Sequence, residues 1–193
     1  FDEDGEFLGD RGATVDISDQ KQAEALHKKA EALLQTYDET LEAKVEAKVE
    51  ERTRILAEVS LRNWRLANYD QLTSLPNRNL LFVHLRKGLQ QARRQWRLLA
   101  ILLVDLDGFK QVNDTLGHDA GDELLQQVAA RLQQCVRATD TAARLGGDEF
   151  TVLLQDLEAP EAAAAVAQKI IDRLAAPLLL GSASATITAS VGI

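Results

Sequence analysis

The chain has 193 residues, 46% of them hydrophobic, enough to bury the core of one domain with appendages. Its formal net charge of -8 argues against a nucleic-acid polymer as partner, because phosphate backbones are bound by basic surfaces. One cysteine, Cys135, excludes an internal disulfide, and no apolar run reaches the ~20 residues of a membrane helix. A cytoplasmic location is the expectation. So is a piece of a longer protein, since the sequence starts at Phe1, holds no Met and stops at Ile193 in what reads as a strand in mid-course.

Residues 1–18, "FDEDGEFLGDRGATVDIS", mix Gly turns with short alternating apolar positions, as a hairpin does. Residues 19–68 contain no Pro or Gly and are dominated by Ala, Glu, Lys, Arg and Leu, which predicts one continuous helix ~70 Å long. Its apolar or small positions run through Leu26, Ala30, Leu33, Tyr37, Leu41, Val45 and Val49, then Arg52, Leu56, Val59, Asn63 and Leu66. The outer parts keep heptad rhythm, and the run of fours between them is a stutter that relaxes the supercoil. Such a helix has no core of its own. A parallel dimeric coiled coil is expected, with Arg52 and Asn63 fixing register; a lone solvated helix in a larger assembly is the alternative.

From Asp70 the pattern is that of a compact domain, residues 69–193. "TSLPNRN" ends the long helix and starts another, with Leu81, Leu85, Leu89 and Trp96 on one face. "LLAILLVDLD" reads as a buried strand ending at Asp105. A helix bearing Leu124, Leu125, Val128, Leu132 and Val136 follows, then strands at 141–145 and 149–155 joined by a Gly146-Gly147 turn. A helix opened by Pro160 carries Val166, Ile170 and Leu174, and "TITASVGI" is the last strand. The order βαββαβ predicts an α+β, ferredoxin-like fold.

A right-handed crossover in that fold makes the first two strands parallel, with the third antiparallel between them. Asp105 and Asp107 then approach Asp148 and Glu149 at one edge of the sheet. Four such carboxylates repel unless protonated or met by cations. Oxygen ligands without a His or Cys cluster point to Mg²⁺, with Mn²⁺ as a substitute, an ion that takes one or two carboxylates plus substrate phosphates. Gly146 and Gly147 leave room for a nucleotide to approach the backbone. A Gly-Gly turn beside acidic residues is also ordinary hairpin chemistry.

"RLGGDEF", with "YDQLTSLPNR" before it and "LLVDLDGFKQVNDTLGHDAGDELL" between, resembles the GGDEF family of diguanylate cyclases over about residues 68–193. The resemblance implies condensation of two GTP into cyclic di-GMP with release of pyrophosphate. It implies Mg²⁺ on Asp105, the Leu106 carbonyl and Asp148, with Asp148 or Glu149 promoting deprotonation of a ribose 3′-hydroxyl. Asn113 and Asp122 match the guanine-reading pair, His118 a further nucleotide contact and Lys110 a phosphate-facing lysine. Taken singly, Asp122 would serve the dipole of its helix, and Lys110, Asn113 and His118 would be solvated loop positions. Arg137 and Asp140 of "RATD" match the inhibitory site for product, although an Arg-x-x-Asp is commonly a local ion pair.

"DEDGEFLGDRGATVDISDQKQAEALH" is similar, over about residues 1–25, to the end of a PAS sensor domain, which implies sensor control through a homodimeric coiled coil. The family's Lys and Arg that hold the triphosphate beyond the last strand would follow Ile193. Two other functions fit the same features: a GTP-binding regulatory module for a downstream cyclic di-GMP phosphodiesterase, and a dimerising relay without chemistry.

Overall fold

The computed structural model describes residues 18–181 and 183–193. The hairpin expected ahead of the long helix, and with it most of the sensor-like stretch, lies outside the described residues. The chain divides into two units near residue 58.

Helix α1 spans Ser18–Asn68. From residue 20 to 58 every side chain on it is exposed, including Leu26, Leu33, Tyr37 and Val49. What holds it locally is composition and exposed i,i+3 or i,i+4 pairs such as His27–Glu31 at 3.2 Å and Arg54–Glu51 at 2.6 Å, each a small term.

In the second unit the chain runs through α2 (Arg78–Gln95), β1 (Leu98–Asp107), α3 (Phe109–Leu116), α4 (His118–Cys135) and β2 (Thr141–Gly146). It continues through β3 (Glu149–Leu157), α5 (Glu161–Leu174), β4 (Leu178–Leu180), β5 (Ala183–Ala185) and β6 (Thr188–Gly192). The main sheet has the order β2-β3-β1-β6, with every neighbouring pair antiparallel. β1 and β2 therefore point the same way with β3 between them, as the ferredoxin-like reading requires.

Alternation along the strands sorts their side chains to two faces. Leu102, Val104 and Leu106 of β1 and Phe150, Val152 and Leu154 of β3 enter the main core with Leu124, Val128 and Leu132 of α4 and Ile170 and Leu174 of α5. On the other face, Leu81 of α2 packs with Ala143 and Leu153. α2 is capped by Asn77, whose side chain accepts from the Asn79 and Leu80 amides at 2.9 and 3.2 Å.

Four expectations need correction. The first strand continues past Asp105 to Asp107, because β6 pairs with it there through Asp107 and Thr188. The turn of the signature is Gly147-Asp148: Gly146 still pairs with Glu149, after a register shift between Arg144 and Gly146. Leu89 and Trp96 do not share the packed face of α2. The helix ends at Gln95, Trp96 takes a left-handed φ of 54° and is 93% exposed, and Gly88 occupies the packed side. Finally, the stretch after Pro177 forms the extra hairpin β4–β5 before β6 starts at Thr188.

Candidate active site

The face of β1 turned away from α4 and α5 carries Asp105 and Asp107, and the matching face of β3 carries Glu149. Asp105 stands directly opposite Glu149 on one side and Ser190 on the other. Asp148 follows in the turn, half-buried. Gly147 takes φ +54°, the left-handed value that a tight hairpin loop places on glycine.

The four carboxylates are not equivalent. Asp107 accepts from the Ser190 and Thr188 hydroxyls at 2.8 Å each, and these bonds hold it below the ordinary carboxylate range. Its charge is thereby committed to β6. None of the ion pairs among the described residues involves Asp105, Asp148 or Glu149. Like charges facing each other on adjacent strands destabilise a sheet, so Asp105 and Glu149 are set where a cation or a bound proton would relieve them. Beside them lies an open depression of about 620 Å³, lined by Leu103, Asp105, Leu145, Glu149, Thr151 and Ser190. The Thr151 hydroxyl at its edge is buried and has no hydrogen-bond partner.

No group of three His, Cys, Asp or Glu side chains among the described residues is close enough to form a metal cage. The donors present fit a different kind of ion: an oxygen-seeking cation that takes one or two carboxylates and completes its shell with water and phosphate, as Mg²⁺ does.

A second set of residues lies on the paired helices α3 and α4. Lys110 and Asn113 sit on α3, His118 opens α4 with Asp122 one turn further on, and Gly117 with φ +88° is the joint between the helices. Lys110, His118 and Asp122 are exposed; Asn113 is half-buried. The Asn113 amide lies hard against α4, since a Cβ built on Gly121 would stand 1.9 Å from its Oδ1.

Arg137 and Asp140 lie apart from both sets. They precede the first residue of β2, whereas the signature turn follows its last, and the six-residue strand separates them by roughly 20 Å. Asp140 is engaged with the backbone: its Oδ2 accepts from the Arg137 amide at 3.0 Å and its Oδ1 from the Gln155 amide at 3.1 Å. The Arg137 side chain is exposed.

Three supports escaped sequence reasoning. Gly121 makes room for Asn113, and a glycine inside the helical pattern "HDAGDELL" was its only signal. Gln155 donates to the Thr139 carbonyl at 2.7 Å and so fixes the loop of Arg137 and Asp140. Arg144 pairs with Asp70, 74 residues earlier, a separation with no local signature.

An antiparallel four-stranded sheet backed by helices, with carboxylates at the end of its central strand and in the adjoining turn, defines the palm-type α+β class of nucleotidyl cyclases. Within that class the chain belongs to the GGDEF family: the family described as "Diguanylate cyclase, GGDEF domain" matches residues 67–193. The chain is similar to the bifunctional diguanylate cyclase/cyclic di-GMP phosphodiesterase MucR of Pseudomonas aeruginosa, 46% identical over 153 residues, covering 77% of this chain and 22% of that protein. It is similar also to the diguanylate cyclase TpbB of the same organism, 43% identical over 128 residues, covering 66% of this chain and 29% of TpbB. Among solved structures, the coiled coil and GGDEF domain of DgcB from Caulobacter crescentus in complex with c-di-GMP is 29% identical with a TM-score of 0.70, over 79% of this chain and 81% of that one. The chain thus spans less than a third of the length of these two curated relatives. Among the described residues no helix is long and apolar enough to cross a membrane.

Proposed function

We propose that the chain carries a diguanylate cyclase domain that condenses two GTP into cyclic di-GMP and releases pyrophosphate. The observation that carries this reading is the placement of Asp105 opposite Glu149, beside the Gly147-Asp148 turn and an open depression large enough for a nucleotide's phosphates. Asp105, the Leu106 carbonyl and Asp148 would hold Mg²⁺ or Mn²⁺, which when bound supplies charge stabilisation for phosphoryl transfer. Asp148 or Glu149 draws the proton from the 3′-hydroxyl that attacks the α-phosphate. Gly146 and Gly147 keep side chains out of the phosphates' path. Asn113 and Asp122 read the guanine edge, with His118 as a further contact and Lys110 facing the phosphates.

One such site holds one GTP, so the reaction needs two domains facing each other. The exposed apolar stripe of α1 supports a homodimeric coiled coil as the means, with a sensor ahead of it as the input. Arg137 and Asp140 form the inhibitory site for cyclic di-GMP. The cytoplasm, where GTP is found, is the compartment this reading requires. A second reading is favoured by the likeness to a bifunctional protein: a GTP-binding module that regulates a phosphodiesterase domain.

The test is incubation of the protein, extended past Ile193, with GTP and Mg²⁺ followed by chromatography for cyclic di-GMP, alongside the Asp148→Asn variant. Cyclic di-GMP from the wild type and none from the variant, with unchanged melting, supports cyclisation. GTP binding without product selects the regulatory module, and retained turnover in Asp148→Asn refutes the role given to that carboxylate.

A further inference from the structure

The turn carrying Asp148 is held from behind by one side chain. Arg144 is only 10% exposed and directs its guanidinium two ways. Its Nη1 donates to both carboxylate oxygens of Asp70, at 3.0 and 3.2 Å. Its Nε and Nη2 donate to the Gly147 carbonyl, at 3.0 and 2.7 Å. That carbonyl belongs to the Gly147-Asp148 peptide, so its direction sets the backbone torsions on both sides, including the one from which Asp148 projects. Glycine at 147 leaves the peptide free to rotate unless something fixes it.

The other end of the strut is equally built. Asp70 Oδ1 accepts from the Thr73 amide and hydroxyl at 2.8 and 2.6 Å. Burial raises the Asp70 carboxyl's affinity for a proton, but Thr73 and Arg144 outweigh it and hold the group below its ordinary range. The surrounding turn is anchored to both neighbours: the Arg144 amide donates to the Pro76 carbonyl at 3.0 Å, and the Asn77 amide group donates to the Ala67 carbonyl near the end of α1 at 3.0 Å. Thr73 and Arg144 thus supply the donors on Asp70, and among the described residues the ion pair of Arg144 is with Asp70.

We propose that Arg144 and Asp70 are positioning residues of the active site, a strut that fixes the Gly147-Asp148 peptide and ties the acidic turn to the segment leaving α1. The role rests on the cyclase reading for its catalytic consequence and on geometry alone for its mechanical one. Neither residue touches substrate: Arg144 acts through the peptide it holds. A lysine at 144 keeps the positive charge but, as a point charge without a planar fork, cannot serve Asp70 and Gly147 together.

The experiment compares wild type, Arg144→Lys and Asp70→Asn by three readouts: melting, GTP kinetics with Mg²⁺, and amide hydrogen exchange. A misplaced reacting group can cost about a hundredfold in rate, so kcat is expected to fall about tenfold or more in Arg144→Lys while the GTP KM stays within about twofold. Exchange at residues 147–149 should accelerate in both variants, with the amides of β1 unchanged. Unchanged kcat and unchanged exchange at the turn overturn the proposal. So does a loss of melting temperature accompanied by faster exchange throughout the sheet, which would make the pair a general structural tie. If the wild type extended past Ile193 turns over no GTP, the cyclase reading fails on its own, and the exchange pattern at 147–149 still decides whether the strut exists.

Discussion

Gly121→Ala separates folding from nucleotide recognition, because the two respond with opposite sign. Gly121 lies inside α4 with ordinary helical torsions, and replacing a helix-interior glycine by alanine favours the helix by about 0.8–1 kcal/mol. The new Cβ, however, would stand 1.9 Å from Asn113 Oδ1 and 2.9 Å from its Cγ. Ordinary contact starts near 3.4 Å, so the amide oxygen must retreat by about 1.5 Å, by rotating a short side chain away from α4. If Asn113 reads guanine, that rotation removes its hydrogen bonds to the base, at about 1–3 kcal/mol, or roughly 5- to 150-fold in GTP affinity. Calorimetric melting and GTP titration on the same preparation measure both quantities. The expected result is an unchanged or raised melting temperature with at least fivefold weaker GTP binding. GTP affinity within twofold of wild type would refute the role given to Asn113, and a lowered melting temperature would show that the Asn113–Gly121 contact is structural.

Asp105→Asn should abolish turnover yet raise stability by about 0.2–1 kcal/mol in metal-free buffer, because it relieves the opposition to Glu149; a lower urea midpoint would make Asp105 an anchor of the fold. Gly88→Val should cost about 1–3 kcal/mol, since even its Cβ would lie 2.7 Å from Gln155 Oε1 and 2.9 Å from Leu99 Cδ1, and denaturant unfolding reads the loss. Arg137→Ala should relieve inhibition by added cyclic di-GMP with basal turnover intact; unchanged inhibition would leave this arginine without a regulatory role. Burial, aided by Lys87, depresses the His84 pKa, so its contribution to stability is present above about pH 6.5 and is lost as the pH falls through the depressed value. Urea midpoints at pH 8 and pH 5 should therefore converge in His84→Gln, and an unaltered difference would count against the assignment.

The parts of the fold legible in the sequence are those where burial imposes a period. "LLAILLVDLD" is a strand whose Leu102, Val104 and Leu106 are buried on one face while Ile101, Leu103 and Asp105 are exposed on the other, and the α4 and α5 stripes follow from one packed face each. Elements held by distant partners left no such trace. The β4–β5 hairpin is secured by α4, with Gln127 donating to the Leu179 carbonyl at 2.5 Å and Glu123 accepting from the Gly181 amide at 2.9 Å. Neither contact has a local signature, and "LLLGSASA" offers no alternation. Trp96 misleads for a related reason: it continues the apolar spacing of α2 but falls one residue past the helix, where a left-handed torsion turns it outward.

The site divides along the same line. Residue type and topology bring Asp105, Asp107, Asp148 and Glu149 to one sheet edge, and the resemblance alone singles out Asp105, Asp148 and Glu149 among them as candidates. Their supports act only through shape that exists after folding, and the turn shows how much follows from one such detail. A register shift between Arg144 and Gly146 places one extra residue, Leu145, in β2, and pairing resumes at Gly146 with Glu149. A bulge of this kind re-aims the residues around it. Unshifted pairing would set Leu145 opposite Glu149 and leave residues 146–148 as the loop; the shift shortens that loop to Gly147 and Asp148, so Asp148 sits in a two-residue turn. Arg144, three residues before Gly147 in the chain, donates to that residue's carbonyl while still reaching Asp70. The bulge tightens the turn and Arg144 braces it, and a tight Gly-Gly turn predicted from composition alone locates the carboxylates to within a residue yet misses what holds them.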